Sequence, residues 1–336
     1  MKEYIQKVAS KQNLTQEEAS VAMRIIMEGN ASPAQIAGFL MALKLKEEHP
    51  DELFGFVQVM REKSVKVVVN DPNAIDMCGT GGDGTGTFNI STVASFVVAG
   101  AGVTVAKHGN RSVSSSCGSA DVLKELGVNF ELSAEDISKC IQTAGIGFLF
   151  APLFHPAMKH AAAPRSELGV KTAFNLLGPM TNPAGVRRQL VGAYNADVAK
   201  KMAQVFSNLE SEKVYIVSSH DGLDEISLQA PTTVFEVTQG NPVKQYEVTP
   251  ESFGLPRTEL SSILGGTAET NASITTRILN GERIPPRNYV IANSAFGLMV
   301  AGKARSVKEG VAIAEESIDS GKALAKLNEL KAFRNP

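Results

Sequence analysis

The sequence predicts an α/β protein, with a run of helices at the N-terminus followed by a large domain on a mostly parallel central sheet. Three observations predict it. Residues 1–65 carry helix caps and helical spacing of apolar side chains. After Pro72 short β-rich runs alternate with helical stretches, the pattern of a parallel sheet. Two polar, glycine-rich loops each follow a strand-like run and lead into a helix-like segment. Ligands on parallel sheets are held there, at the carboxyl ends of strands.

Thr15-x-x-Glu18 and Ser32-Pro33-x-Gln35 read as capping boxes, the second with proline at the first helical position. Ile36, Phe39, Leu40 and Leu43 then recur at helical spacing. The strand-like runs are 74–77, 103–106, 147–150 and 213–218. Runs 232–238 and 243–248, separated by Gln239-Gly240-Asn241-Pro242, read as an antiparallel hairpin at the sheet's edge. From Ala268 the chain is helical, and Ser306-x-x-Glu309 caps one late helix.

Composition narrows the class. The chain has 336 residues, 43% hydrophobic and 20% charged, with a net charge of −2, enough for one large domain or a large and a small one. That charge gives no general attraction to nucleic acid or to an anionic membrane. Tryptophan is absent and aromatics are 6%, which argues against base-stacking surfaces. No apolar run is long enough for a membrane span, and residues 1–20 lack the apolar core of a signal peptide. Cys78, Cys117 and Cys140 are too scattered for a disulfide framework or a zinc site. The expectation is a protein of the reduced cytoplasm that binds neither nucleic acid nor membrane.

The first loop runs from Cys78 to Thr92 as CGTGGDGTGTFNIST, and the second from Lys107 to Ser115 as KHGNRSVSS. Glycines let backbone N–H groups approach an anion, and helix N-termini add partial positive charge. Lys107 and Arg111 add cations, so the pair reads as a site for several phosphates. Gly79, Gly81 and Gly84 fit the dinucleotide spacing G-x-G-x-x-G, but Lys107-His108 stands where that motif needs an acid. A nucleotide P-loop needs a lysine at its end, and none occurs between Val67 and Val105. The bland alternative, a flexible turn, fits five glycines among hydroxyls poorly. Asp224 and Glu225, with Asp221 nearby, form either a magnesium site beside those phosphates or a solvated acidic turn. His155 and His160 are five apart and do not share a helix face, which argues against a metal pair.

These motifs, Gly-Thr-Gly-Gly-Asp at 79–83, Asn-x-Ser-Thr at 89–92 and Lys-His-Gly-Asn-Arg-x-x-Ser-Ser at 107–115, resemble the anthranilate phosphoribosyltransferase family. Phe174 to Pro179, Asn182-Pro183, Asp221 to Ser227, Gly265-Gly266 and Asn271-Ala272 match in the same order, so the resemblance covers nearly the whole chain. The family belongs to the group that includes the pyrimidine nucleoside phosphorylases. The resemblance implies a helical domain over 1–70 with a return segment near 165–190, an α/β domain over 71–336, and a homodimer. It implies transfer of phosphoribosyl from phosphoribosyl pyrophosphate to anthranilate in tryptophan biosynthesis, with magnesium, two ions, as cofactor.

Residue by residue, the resemblance implies phosphoribosyl pyrophosphate contacts at Gly79, Gly82, Asp83, Thr87, Asn89, Ile90, Ser91 and Thr92. It extends them to Lys107, His108, Gly109, Asn110, Arg111, Ser112, Val113, Ser114, Ser115 and Ser119. Anthranilate falls to Gly79, Asn110 and Arg165, with His108 and Pro179 along its channel; arginine suits a carboxylate because its fork is planar. Metal falls to Ser91, Asp224 and Glu225. No residue is assigned as acid, base or nucleophile. Asp83 suits a ribose hydroxyl or metal-bound water, or else simply shapes its turn, and Arg165 could be a plain surface cation. Ser116, Lys171 and Ser218-Ser219 depart from the family pattern without removing a ligand. A nucleoside phosphorylase of the same fold should lack His-Gly-Asn-Arg and Arg165. A non-catalytic nucleic-acid-binding relative should be basic and should have lost the loops.

Overall fold

The computed structural model describes residues 1–111 and 117–333. The chain opens with α1 (Lys2–Ala9), α2 (Gln16–Met27), α3 (Pro33–Lys46) and α4 (Pro50–Lys63). Both expected capping boxes form, Thr15 with Glu18 and Ser32 with Gln35. The N-terminus of α4 has a further anchor. Fully buried Glu52 accepts from the amides of His49 and Leu14 and from Lys46 Nζ, at 2.8, 2.8 and 2.9 Å. Such a buried carboxylate is tolerable only because every contact is charge-assisted or from a backbone donor. Ala161, Phe174, Leu176, Leu177 and Met180, from a much later stretch, join the apolar cluster of these helices.

The strands are β1 (Ile75–Gly79), β2 (Val105–Gly109), β3 (Ile146–Phe150), β4 (Arg188–Gly192), β5 (Lys213–Ser219), β6 (Thr232–Thr238) and β7 (Lys244–Val248). Among the described residues they form one sheet in the order β3-β2-β1-β4-β5-β6-β7. The first five run parallel and the last two antiparallel, so the expected hairpin closes the edge. The sequence reading missed β4: it begins Arg188-Gln189 and ends in glycine, so it lacks the apolar run that marks the others. Both faces are covered. On β5, Tyr215 and Val217 enter one core while Val214 and Ile216 enter the other, the two-residue alternation of a strand. The helix α5 (Ile90–Gly100) is buried almost all round, between β1 and the C-terminal helices Pro285–Val300, Val307–Asp319 and Lys322–Ala332.

The topology has the strand reversal at which open α/β sheets hold ligands. From β1 the chain crosses to β2 and β3 on one side, then returns to β4 on the other. The strand order therefore reverses between β1 and β4, and the crevice outside their carboxyl ends is the natural site of an open α/β sheet.

Candidate active site

Four glycines of the first loop, at 81, 82, 84 and 86, have φ between 63° and 77°. A residue with a Cβ would be strained there, so the loop's path requires glycine. Asp83 shapes this turn: its carboxylate accepts from Thr85 N at 3.1 Å and Thr85 Oγ1 at 2.7 Å. Thr87 pairs in an isolated antiparallel bridge with Leu264, and Gly265 N donates to the Gly86 carbonyl at 2.9 Å. The segment 263–266 thus straps the loop down. Asn89 stands at the N-cap of α5, with Ile90 and Thr92 buried behind it.

The acidic turn after β5 crosses the carboxyl ends of β1 and β4. A Cβ on Gly79 would lie 2.7 Å from Asp224 Oδ2, and one on Gly192 only 1.6 Å from the Asp224 carbonyl. Asp224 Oδ2 accepts from Gly81 N at 2.8 Å, and Asp224 N approaches Asp83 Oδ2 at 3.4 Å. Glu225 Oε1 accepts from Ser91 N, in the first turn of α5, at 3.1 Å. Asp221 faces away from this cluster; its carboxylate accepts from Ser219 Oγ and Ser227 Oγ and holds the turn's shape. Burial pushes Asp224 and Glu225 well above the usual carboxylate range, and repulsion pushes them further: from Asp83 on Asp224, and from Asp224 on Glu225. Three carboxylates drawn together in this way suit a hard cation. Among the described residues no three acidic, histidine or cysteine side chains are already arranged as metal ligands. Magnesium fits such a site, since it takes one or two carboxylates and draws its other oxygens from phosphate and water.

On β2 successive side chains point to opposite faces. Lys107 is buried on the α5 side, where Nζ donates to the Met77 carbonyl and lies 3.3 Å from Ser91 Oγ. Desolvation lowers its pKa, against the attraction of Asp76, Cys78 and Glu225. The expected phosphate contact is therefore a cation set beneath the N-terminus of α5, held below the loop surface by its strand register. His108 points the other way. Desolvation and the neighbouring His155 bring it down to a pKa of about 3, while burial brings His155 to about 4. Their ring centroids are 5.2 Å apart, and among the described residues neither Nε2 has a hydrogen-bond partner.

Gly109 ends β2, and a Cβ there would strike the Phe148 ring at 2.6 Å and Ser119 Oγ at 3.0 Å. Ser119 opens the next helix, Ser119–Glu125. Asn110 is exposed and folds back on its own loop, Oδ1 accepting from Arg111 N at 2.7 Å. Arg111 turns outward over the Phe130 and Phe150 rings, 3.4 Å from Glu131. Ser112, Val113, Ser114 and Ser115 lie outside the described residues, as does Ser116. Arg165, on the helix Lys159–Leu168, stacks 5.0 Å from the Phe174 centroid, and desolvation lowers its pKa. Among the described residues its guanidinium has no acid partner. Lys171 stands 3.8 Å over the Tyr194 ring.

Asp76 escaped the sequence reading. It is fully buried on β1, accepting from His108 N at 3.0 Å and from Asn182 Nδ2 at 2.8 Å. Gln189 on β4 bridges the same carboxylate and the Pro179 carbonyl, at 3.4 and 2.9 Å. One carboxylate thus joins the start of the second loop to the segment 178–183. An acid inside a short strand-like run was the available signal.

Two family models match the chain: "Glycosyl transferase family, helical bundle domain" over residues 2–64 and "Glycosyl transferase family, a/b domain" over 71–324. The anthranilate phosphoribosyltransferase of Moorella thermoacetica is 51% identical over 99% of this chain and 98% of its own length. The crystal structure of the Thermus thermophilus anthranilate phosphoribosyltransferase has a TM-score of 0.92 at 42% identity, covering 98% of both chains. That of Saccharomyces cerevisiae, in complex with phosphoribosyl pyrophosphate and Mg, has a TM-score of 0.89 at 30% identity, covering 98% of this chain and 96% of its own. The chain belongs to this glycosyl transferase family and, within it, to the anthranilate phosphoribosyltransferases.

Proposed function

We propose that the crevice between β1 and β4 is where this enzyme transfers phosphoribosyl from phosphoribosyl pyrophosphate to the amine of anthranilate, releasing pyrophosphate. The observation that carries the proposal is the convergence at one sheet reversal of a glycine loop, a helix N-terminus and a carboxylate pair. On this reading the loop backbone at Gly79 and Gly82 and the first turn of α5, at Asn89–Thr92, receive phosphate. Gly109, Asn110, Arg111 and Ser119 line its other side, and Ser112, Val113, Ser114 and Ser115 belong to the same proposed set of phosphate contacts. Asp83 faces the ribose or a metal-bound water. Lys107 contributes charge from below, where low dielectric strengthens it. Asp224, Glu225 and Ser91 would hold magnesium, two ions when substrate supplies its phosphates. Magnesium would neutralise the charge that grows on pyrophosphate as its bond to ribose C1 breaks.

Arg165, with Gly79 and Asn110, holds the anthranilate carboxylate and places the amine beside C1. The Arg165 fork needs an anion, and its half-buried position without an acid among the described residues supports that use. His108 and Pro179 line the approach; as a neutral ring, His108 does not repel a positive charge developing on the ribose. Positioning and electrostatics supply the rate, with no protein nucleophile. We divide the chain into a helical domain over 1–70, with a return segment near 165–190, and a catalytic α/β domain over 71–336. Among the described residues no helix is long and apolar enough to cross a membrane. We read the protein as a cytoplasmic homodimer joined through its helical domain.

The test is loss of anthranilate fluorescence in the presence of phosphoribosyl pyrophosphate and magnesium. Turnover that disappears with excess chelator is expected; none with magnesium present would overturn the reading. Light scattering at micromolar concentration checks the dimer, and a monomer alone would refute it.

A further inference from the structure

The pair Asn271-Ala272, with Gly265-Gly266 before it, belongs to neither phosphate loop nor to the acidic turn. Asn271 lies in the first half of the helix Ala268–Leu279 and is 1% exposed. Its Oδ1 accepts from Gly266 N at 2.9 Å, and its Nδ2 donates to Asn89 Oδ1 at 3.0 Å. A Cβ on Gly265 would come within 2.7 Å of that Oδ1 and 2.9 Å of the Phe88 backbone, so the strap closes tightly on Asn271. Asn89 is also tied to the end of the second loop: Nδ2 donates to the Cys117 carbonyl at 3.1 Å, and Cys117 Sγ lies 3.6 Å from Oδ1. One carboxamide pair therefore connects the strap, the first loop, the start of α5 and the second loop.

The consequence lies in what Asn89 does not do. Asparagine at an N-cap ordinarily turns its side-chain oxygen onto the N–H groups two and three residues on. Here those belong to Ser91, whose N–H goes to Glu225, and Thr92, whose N–H goes to the Asn89 carbonyl, and the Asn89 side chain bonds neither. Its oxygen is held by Asn271 instead. We infer that Asn271 is a positioning residue that turns the Asn89 side chain off the N-terminus of α5 and onto the second loop, holding the two loops in register for substrate phosphate. The inference rests on the proposed reading of the crevice as a phosphoribosyl pyrophosphate site.

Calorimetric titration with magnesium phosphoribosyl pyrophosphate, without anthranilate, tests it, backed by steady-state kinetics. Asn271→Ala should weaken binding and raise the corresponding KM by at least about tenfold, since it removes the bond that orients Asn89 together with the one to Gly266. The KM for anthranilate should stay within about twofold. Asn271→Asp keeps the acceptor for Gly266 but loses the donor to Asn89, and it should behave like the alanine variant. It also serves if that variant folds poorly. Asn89→Ala combined with Asn271→Asp should be no worse than Asn89→Ala alone, because that substitution removes only the bond to Asn89. Wild-type affinity in Asn271→Asp, or additive losses in the double variant, overturns the inference and leaves the site reading intact. Wild-type protein that binds no phosphoribosyl pyrophosphate overturns both.

Discussion

Arg165 carries a charge unmatched by any acid among the described residues, packed on the Phe174 ring. Lys107 is the opposite case: its ammonium is bound to Met77 and flanked by Asp76 and Glu225. The two cations should therefore fail differently. Arg165→Ala should raise the KM for anthranilate roughly ten- to a hundredfold, for about 1.5–3 kcal/mol of charged hydrogen bonding, and leave that for phosphoribosyl pyrophosphate nearly unchanged. Arg165→Lys should recover only part of the loss, because an ammonium cannot present a planar fork. Steady-state kinetics with each substrate varied in turn decides; a change confined to phosphoribosyl pyrophosphate would remove Arg165 from the acceptor site. Lys107→Ala should lower thermal stability as well as activity, since it empties a buried position and leaves Asp76 without its nearest cation.

At the scale of elements, the glycines that end β1 and β4 set how closely the acidic turn can approach. Gly192→Ala would force a Cβ into the Asp224 carbonyl, which is backbone and cannot swing aside. The expected result is a loss of about 3 kcal/mol or more and activity near background, read by thermal melting and by the fluorescence assay. Gly38 in α3 has no atom within 4 Å of its would-be Cβ. Gly38→Ala should thus stabilise by about 0.5–1 kcal/mol with unchanged turnover, which makes it the control. Much of this level was legible in the sequence. The capping boxes, the hairpin and most strands follow from local chemistry, because caps and alternation are decided within a few residues. β4 was not legible, since Gln189 is buried by its partner Asp76 rather than by apolarity. The pairing of His108 with His155, and of Asn89 with Asn271, joins residues far apart in the chain and depends on strand order. The acid pair's place over β1 is equally a product of topology. By contrast, the loop residues themselves were visible because close backbone approach to an anion needs glycine at particular positions.

For the whole molecule, acid is the condition that should find its weak point. His108 and His155 are held neutral, with folded pKa values near 3 and 4 against an ordinary 6.5. On acidification the unfolded chain takes up these protons first. Their contribution to stability is complete above about pH 6.5 and is lost as pH falls toward 4 and then 3. Each histidine should cost about 1.4 kcal/mol per pH unit below about pH 6. Denaturant unfolding of wild type and of the variant carrying both His108→Gln and His155→Gln, between pH 7.5 and 5, measures this. Relative to the variant, wild type should lose stability steadily as pH falls over that interval, whatever Asp224 and Glu225 contribute to both, and parallel curves would refute the assignment. The His108 ring, near the end of β2, bonds to the backbone of Gly178, and the His155 ring, just past the short helix after β3, to that of Thr181, so acid should loosen the contact between the helical part and the sheet before it loosens the sheet itself.

The hairpin at the sheet's edge has a use in engineering. β6 runs antiparallel to β5, with Thr238 opposite Lys213, so the turn Gln239-Gly240-Asn241-Pro242 leaves from the amino-terminal end of the parallel strands. The crevice opens at the other end, with β5 between the hairpin and β4. Gln239, Gly240 and Asn241 are exposed, and the outer strand β7 shows Lys244 and Gln245 to solvent. A peptide tag, a fluorophore or a whole guest domain spliced between Gly240 and Asn241 would enter at the sheet end opposite the crevice. This turn is a natural port through which the enzyme could be immobilised or reported on while it works.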